Sequence, residues 1–275
     1  MYVLRVYSYL SFASSLRHHG RHPEVIVFMS LARTTNVYRL IKSGGVRLLS
    51  SKSPLPDPEA AKFLQIVRLP KFLEPDSTQS LIAECVAIRD EIASAVTLSG
   101  PGRGVWSTTY LHTHHAFQNR NAELHKKLRE AAILADTDAQ WGLCAASLGD
   151  IRTRCVEFHD IGVSGGLPQK AHYDKGSCVT IDVMLQAPAA GGAFMTHAVG
   201  DNGEVMEVEV PFEQGDAVIF PSHKYHWVEP VTEGTRRVLI MELWRGEERS
   251  CNHRCEQPHG ECTYKKAVFS SFIGM

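Results

Sequence analysis

The chain predicts an α+β, mainly β protein: a jelly-roll-like β core preceded by supporting helices. Three observations lead there. From about residue 151 onward, short segments rich in β-branched and aromatic residues alternate with Gly, Pro, Asp and Asn at roughly ten-residue spacing, the signature of a β-sandwich or barrel. Upstream, two segments carry apolar residues at helical spacing. Hydrophobic residues make up 44% and charged residues 21% of 275 residues, enough apolar material for a folded core.

The elements follow in order. Residues 1–56 carry Arg5, Arg17, Arg21, Arg33, Arg39, Lys42, Arg47 and Lys52 against one acid, Glu24, and are rich in Ser. Such a leader reads as an organelle (mitochondrial or plastid) transit peptide, with a basic or disordered extension of a cytoplasmic protein as the other reading. Arg5 breaks the apolar stretch that a secretory signal would need. "SPLPDPEA" then marks a boundary, and residues 57–150 read as a helical support region. In it, "LQIVRLPKFL" (64–73) predicts a short strand entering a turn. Residues 76–96 predict a helix with Leu81, Ile82, Cys85, Ile88, Ile92 and Val96 on one face and Asp76 or Ser77 as cap. "SGPGRG" is a loop, "VWSTTYLHT" (105–113) a strand, and 121–136 a second helix capped by Asn121. Residues 151–245 form the β core, through "RTRCVEFHDI", "SCVTIDVMLQAP", "GGAFMTH", "EVMEVEVPF", "GDAVIFPS", "YHWVEPV" and "RRVLIMELW". Residues 246–275 are a Cys- and His-containing tail.

A net charge of −1 gives no electrostatic case for nucleic acid, and no apolar run reaches the roughly 18–20 residues of a membrane span. Seven cysteines at wide spacing do not form a secreted disulfide framework. Cys251, Cys255 and Cys262 crowd the tail with His253 and His259. Their spacing lacks the paired elements of a standard zinc finger, so they read as reduced thiols near a surface, with a local disulfide or a bound metal as alternatives. His112, His114 and His115 read as loop histidines.

In "KAHYDKGS", His172 and Asp174 stand two apart, which on a strand puts both on one face. Alone this H-x-D triplet is weak. Downstream, His226 opens a predicted strand, and Arg236 follows ten residues later. Two His and one carboxylate on one face of an octahedral iron leave three positions open. A second carboxylate on a bidentate co-substrate then needs a cation, and the planar guanidinium fork suits it. Arg236 is expected on a strand paired with that of His226, across the turn "VTEG".

The set His172-x-Asp174, His226 and Gly234-x-Arg236, within "PVTEGTRRVLIMELW" and accompanied by "GG" at 165–166, "GGAF" at 191–194 and "GDAVIF" at 215–220, resembles the 2-oxoglutarate- and Fe(II)-dependent dioxygenases, nearest their prolyl 4-hydroxylase-like branch. The resemblance implies a double-stranded β-helix (jelly roll), Fe(II) on His172, Asp174 and His226, and 2-oxoglutarate held by Arg236. It also implies O2 as co-substrate and ascorbate as the reductant that rescues iron. The reaction implied is hydroxylation of a C–H bond with release of succinate and CO2; a carboxylate at 174 speaks against halogenation. His226 rather than His223 is the ligand by its distance from Arg236, and Arg237 should face outward. The branch usually has a Tyr in the strand before the first His. Here "CVEFHDIGVSGGL" has none, and Thr180 or Tyr173 are the stand-ins for contacting co-substrate. Trp227 is expected to wall the pocket and Arg154 to meet substrate, with residues 97–120 and 198–204 shaping access. The substrate is a prolyl residue of a peptide or protein, or a small metabolite. A cupin-like protein that binds metal without turnover is the alternative outside enzymes.

Overall fold

The computed structural model describes residues 55–92, 95–98, 105–144, 151–200 and 202–262; the leader reading for residues 1–54 lies outside them. The described chain is dominated by antiparallel β structure with few helices. The helices are α1 (Pro58–Ala61), α2 (Pro75–Ile92), α3 (Ala116–Arg120) and α4 (Ala122–Ala139). The strands are β1 (Val67–Leu69), β2 (Ala95–Leu98), β3 (Trp106–Tyr110), β4 (Arg152–Ile161), β5 (Val179–Gln186), β6 (Ala190–Gly191), β7 (Phe194–Val199), β8 (Val205–Glu209), β9 (Ala217–Pro221), β10 (His226–Val228), β11 (Val231–Glu233) and β12 (Arg236–Trp244). One seven-stranded sheet runs β1-β9-β5-β12-β4-β3-β2, a three-stranded sheet runs β10-β7-β8, and β11 pairs with β6.

Alternation along the strands builds the two faces of the large sheet. Val179, Ile181, Val183 and Leu185 of β5, with Leu239, Met241 and Leu243 of β12, belong to one buried cluster with Leu81, Ile82, Cys85 and Ile88 of α2 and Leu128, Ala132 and Ala135 of α4. The helices therefore cover one face. The residues between them in sequence, Asp182 on β5 and Ile240 and Glu242 on β12, line a cavity on the other face. The far wall of that cavity comes from Phe194, His226 and Val228 of the small sheet.

Several elements differ from the sequence expectation. The helix predicted over 76–96 begins at Pro75 and ends at Ile92. Residues 95–98 instead pair with β3, Ala95 opposite Thr109 and Leu98 opposite Trp106. Sheet pairing here overrides a helical apolar pattern whose last members include β-branched Val96. The second helix runs to Ala139, three residues beyond expectation, and stops where Gln140 turns left-handed with φ 57°. Asn121 occupies its cap position without a capping side-chain bond. The support region thus supplies β1, β2 and β3 to the large sheet as well as helices.

His125 on α4 is buried and bonds Thr153 Oγ1 through Nε2 at 2.9 Å. Burial, with nearby Arg129 and His115, pushes its pKa from 6.5 down to about 4. Unfolding would release it to bind a proton, so its contribution to stability is present above 6.5 and is lost as pH falls from 6.5 towards 4. His125→Gln, which can keep the bond to Thr153, should flatten the acid side of the stability-pH profile. Urea unfolding at pH 7 and pH 5 measures this.

Candidate metal centre

His172 and Asp174 do not lie on a strand, as the sequence suggested, but in the irregular loop before β5. The same-face argument therefore does not apply; the loop is shaped by backbone bonds to the turn before β10. Asp174 N–H donates to Ser222 O at 2.7 Å, and His226 N–H donates to His172 O at 3.0 Å. These bonds bring the three side chains together. His172 Nε2 is 3.4 Å from Asp174 Oδ1, His226 Nε2 is 3.9 Å from Asp174 Oδ2, and one ligand atom from each lies within 4.8 Å of the others.

Two further contacts orient the set. Thr180 Oγ1 donates to Asp174 Oδ2 at 2.7 Å. His226 Nδ1 lies 3.0 Å from Lys224 O, which fixes Nδ1 as the donor and leaves the Nε2 lone pair facing Asp174. Burial would raise the Asp174 carboxyl, but His226, His172 and Arg254 outweigh it and hold the group well below the usual carboxylate range. Burial pushes His226 down to about 4, against the pull of Asp174. A deprotonated carboxylate and a neutral imidazole are the states a metal ion requires.

The triad opens into a cavity of about 200 Å³ that also exposes Trp106, Thr108, Tyr110, His159, Asp182 and Arg236. Arg236 is 2% exposed, and its Nε and Nη2 have no hydrogen-bond partner. Burial lowers it to about 10, opposed by nearby Asp182, yet it stays cationic at neutral pH. A buried guanidinium with unpaired N–H groups is costly unless an anion meets it. The Arg236 strand is not the partner of the His226 strand: β10 pairs with β7, whereas β12 pairs with β4 and β5. The two residues face one another from different sheets.

Arg254 enters the same cavity from the tail. Its Nη2 donates to Glu242 Oε2 at 2.9 Å and lies 3.5 Å from Asp174 Oδ1, and its Nε is 2.7 Å from Glu242 Oε1. Glu157 is paired with His159 Nε2 at 2.8 Å. Cys155, Glu157 and Glu242 also converge closely enough to hold an ion, but these acids already have cationic or imidazole partners.

The other sequence candidates fall elsewhere. The Thr180 hydroxyl is engaged with Asp174 and with Ser222 Oγ at 2.9 Å, so it orients the Asp174 carboxylate rather than lining the cavity. Tyr173 packs against His223 and Tyr225, with ring centroids 5.2 and 6.0 Å away, outside the cavity. Trp227 points to the opposite side of β10 from His226, is 1% exposed, and donates to Glu229 Oε1 at 2.8 Å. Arg154 is buried beneath the cavity, donating to Cys255 O at 2.7 Å and Lys175 O at 2.6 Å. His223 sits in the turn before β10 and bonds Pro56 O at 2.9 Å through Nδ1. Arg237 faces away and pairs with Asp160 at 3.2 Å. His112 is buried between Val156 and the His253 carbonyl, each at 3.2 Å. Of the two access segments, 97–120 supplies Trp106, Thr108 and Tyr110 to the cavity lining; 198–204 supplies none among the described residues. Asp182, Tyr110 and Arg254 are site residues that spacing did not suggest. Asp182 had one available signal, an acid within the otherwise apolar strand "VTIDVMLQ".

No protein-family model matches the chain, and no curated protein matches it. Among solved structures, it is similar to a viral collagen prolyl hydroxylase from Paramecium Bursaria Chlorella virus-1 (15% identity, 66% of this chain and 96% of that one, TM-score 0.43). It is similar to a Pseudomonas putida prolyl-4-hydroxylase (17%, 66% and 93%, TM-score 0.46). It is also similar to a non-heme alpha ketoglutarate dependent carbocyclase from nogalamycin biosynthesis (13%, 72% and 87%, TM-score 0.48). At these identities and TM-scores, their activities do not transfer to this chain.

Thr180→Val removes the hydroxyl that orients Asp174 while keeping side-chain volume. Loss of such a supporting bond should weaken divalent-metal affinity by about 10–100-fold. Titration of the purified variant with Fe(II) or Mn(II) checks this, with circular dichroism reporting an unchanged fold.

Proposed function

We propose that this chain is an Fe(II)- and 2-oxoglutarate-dependent oxygenase on a double-stranded β-helix, hydroxylating a C–H bond of its substrate. The observation that carries this reading is the buried, incompletely bonded guanidinium of Arg236 in the cavity that the His172, Asp174 and His226 triad opens into. Two imidazoles and one carboxylate are the donor set of facial-triad iron, and Arg236 is the cation that the far carboxylate of a 2-oxo diacid requires.

Iron and 2-oxoglutarate would supply the oxidising chemistry, with O2 consumed and ascorbate keeping the metal reduced. The chain's residues do the rest. His172, Asp174 and His226 hold the metal on one face, and Thr180 and the Lys224 carbonyl keep Asp174 and His226 oriented. Arg236 fixes the co-substrate by its distal end and so orients its reactive end. Asp182, whose carboxyl is pushed well up by burial and by Asp174, can stay protonated beside Arg236 and offer a hydrogen bond to the same carboxylate. Phe194, Val228, Leu167 and Ile240 supply apolar lining that excludes water. The substrate we favour is a prolyl residue of a peptide or protein; a small metabolite is tested beside it.

Succinate formation from 2-oxoglutarate, with Fe(II), ascorbate, proline-containing peptides and free proline, tests the reading. His226→Ala should abolish turnover. Arg236→Ala should raise KM for 2-oxoglutarate about 30-fold or more, the effect of about 2 kcal/mol lost with one partner of a buried charge pair. Arg237→Ala should leave that KM unchanged. Co-substrate affinity equal in wild type and Arg236→Ala would defeat the assignment, and stimulation of turnover by free proline but by none of the peptides would defeat the prolyl-residue substrate.

A further inference from the structure

The tail between β12 and residue 262 contains no helix or strand, yet it is firmly tied down. Arg154 Nε donates to Cys255 O at 2.7 Å, Arg249 Nη1 donates to Gly260 O at 2.8 Å, and Arg249 Nη2 donates to Gln257 O. Glu247 N–H donates to Pro258 O at 2.8 Å, His114 N–H donates to Ser250 O at 2.9 Å, and His112 Nε2 meets His253 O at 3.2 Å. Arg154, His112 and His114 thus hold the tail from outside it, and Arg249 and Glu247 brace it internally. The tail contributes one residue to the buried apolar set, Cys255, at 1% exposure. A segment with so little apolar burial needs a cross-link to offset its ordering entropy.

The side chains supply one. Cys251, His253, Cys255 and Cys262 each present a ligand atom, all within 4.8 Å of one another, and Cys262 Sγ is 3.2 Å from His253 Nε2. In a tetrahedral zinc site with Zn–S near 2.3 Å and Zn–N near 2.0 Å, ligand atoms stand about 3.5–3.8 Å apart. The cluster is already near that size. A disulfide would use two of the three sulfurs, whereas a metal ion uses all four ligand atoms. All three are free thiols, as their spacing suggested, but they are not scattered: Cys255 is buried, and Cys251 and Cys262 are half-buried beside it.

We propose that Cys251, His253, Cys255 and Cys262 bind a structural Zn2+ in a closed Cys3His site that fixes the tail against the core. Zinc binding displaces one proton from each thiol, and the imidazole binds neutral. The site is separate from the cavity triad and stands whether or not the oxygenase reading does. Its consequence reaches that cavity, because Arg254, between ligands His253 and Cys255, carries the guanidinium bonded to Glu242 and beside Asp174.

The test is metal content of the full-length protein purified under reducing conditions, followed by exchange with Co2+. One zinc per chain is expected, retained in the His172→Ala/Asp174→Ala double variant and lost in Cys262→Ser. The Co2+ form should show thiolate-to-metal charge transfer and the visible bands of tetrahedral cobalt. His253→Cys should still bind metal, with the cobalt bands shifted by a fourth thiolate. Wild-type protein that is folded and reduced but gives no thiolate-ligated cobalt spectrum would overturn the proposal, as would zinc lost only with the triad variant.

Discussion

Strand β12 is hydrogen-bonded along both edges, to β4 and to β5, and that double pairing sets where Arg236, Glu242, Glu157 and Asp182 stand. From Arg236 to Glu242 the strand carries an incompletely bonded buried guanidinium at one end and the dock for Arg254 at the other, with Ile240 between them in the lining. Both neighbours absorb an irregularity. The pairing with β5 skips Leu185 between Met184 and Gln186, and the pairing with β4 skips Arg154 between Thr153 and Cys155. The extra residues fall on the flanking strands, where a bulge bends the partner, and β12 itself stays an uninterrupted measure of distance. The bulge at Arg154 also frees that side chain to reach the Cys255 and Lys175 carbonyls, which are not on a neighbouring strand.

The cavity collects charges that would be costly singly. Asp174 lies between two imidazoles and Arg254; Glu242 is held by Arg254, Arg154 and Ser177; Glu157 has His159. Asp182 is relieved differently, since burial and neighbouring acids favour its neutral form. Arg236 is left with the near presence of Asp182 but with two N–H groups unmatched. The imbalance lies opposite a metal-type donor set, where an incoming dianion would correct it.

Much of this was legible in the sequence, for a physical reason. Strand β4 coincides with the segment "RTRCVEFHDI" and β12 with "RRVLIMELW", because both are long, β-branched and bounded by turn residues. His172, Asp174, His226 and Arg236 could be picked out because their spacing, taken with the Gly-rich motifs around them, resembles a known pattern. What was not legible depends on contacts across the fold. That His172 and Asp174 sit in a loop follows from backbone bonds to Ser222 and His226, fifty residues away in rough measure. The end of α2 was misplaced because β3 offered strand pairing to 95–98, which no local pattern reveals. The tail cluster looked like scattered thiols because its spacing is irregular; bonds from Arg154 and His112 of the core, with Arg249 bracing the tail internally, bring it to one point.

Arg254 gives the order of synthesis a meaning for this site. Every triad residue and Arg236 have been made by the time β12 is complete, and the sheet can form from them as the chain emerges. The cation that bridges Glu242 and Asp174 comes later, on a segment with no secondary structure of its own. Until that segment docks, Glu242 has only Arg154 and Ser177 as partners. The lining of the cavity is thus completed by a residue from almost the last described part of the chain.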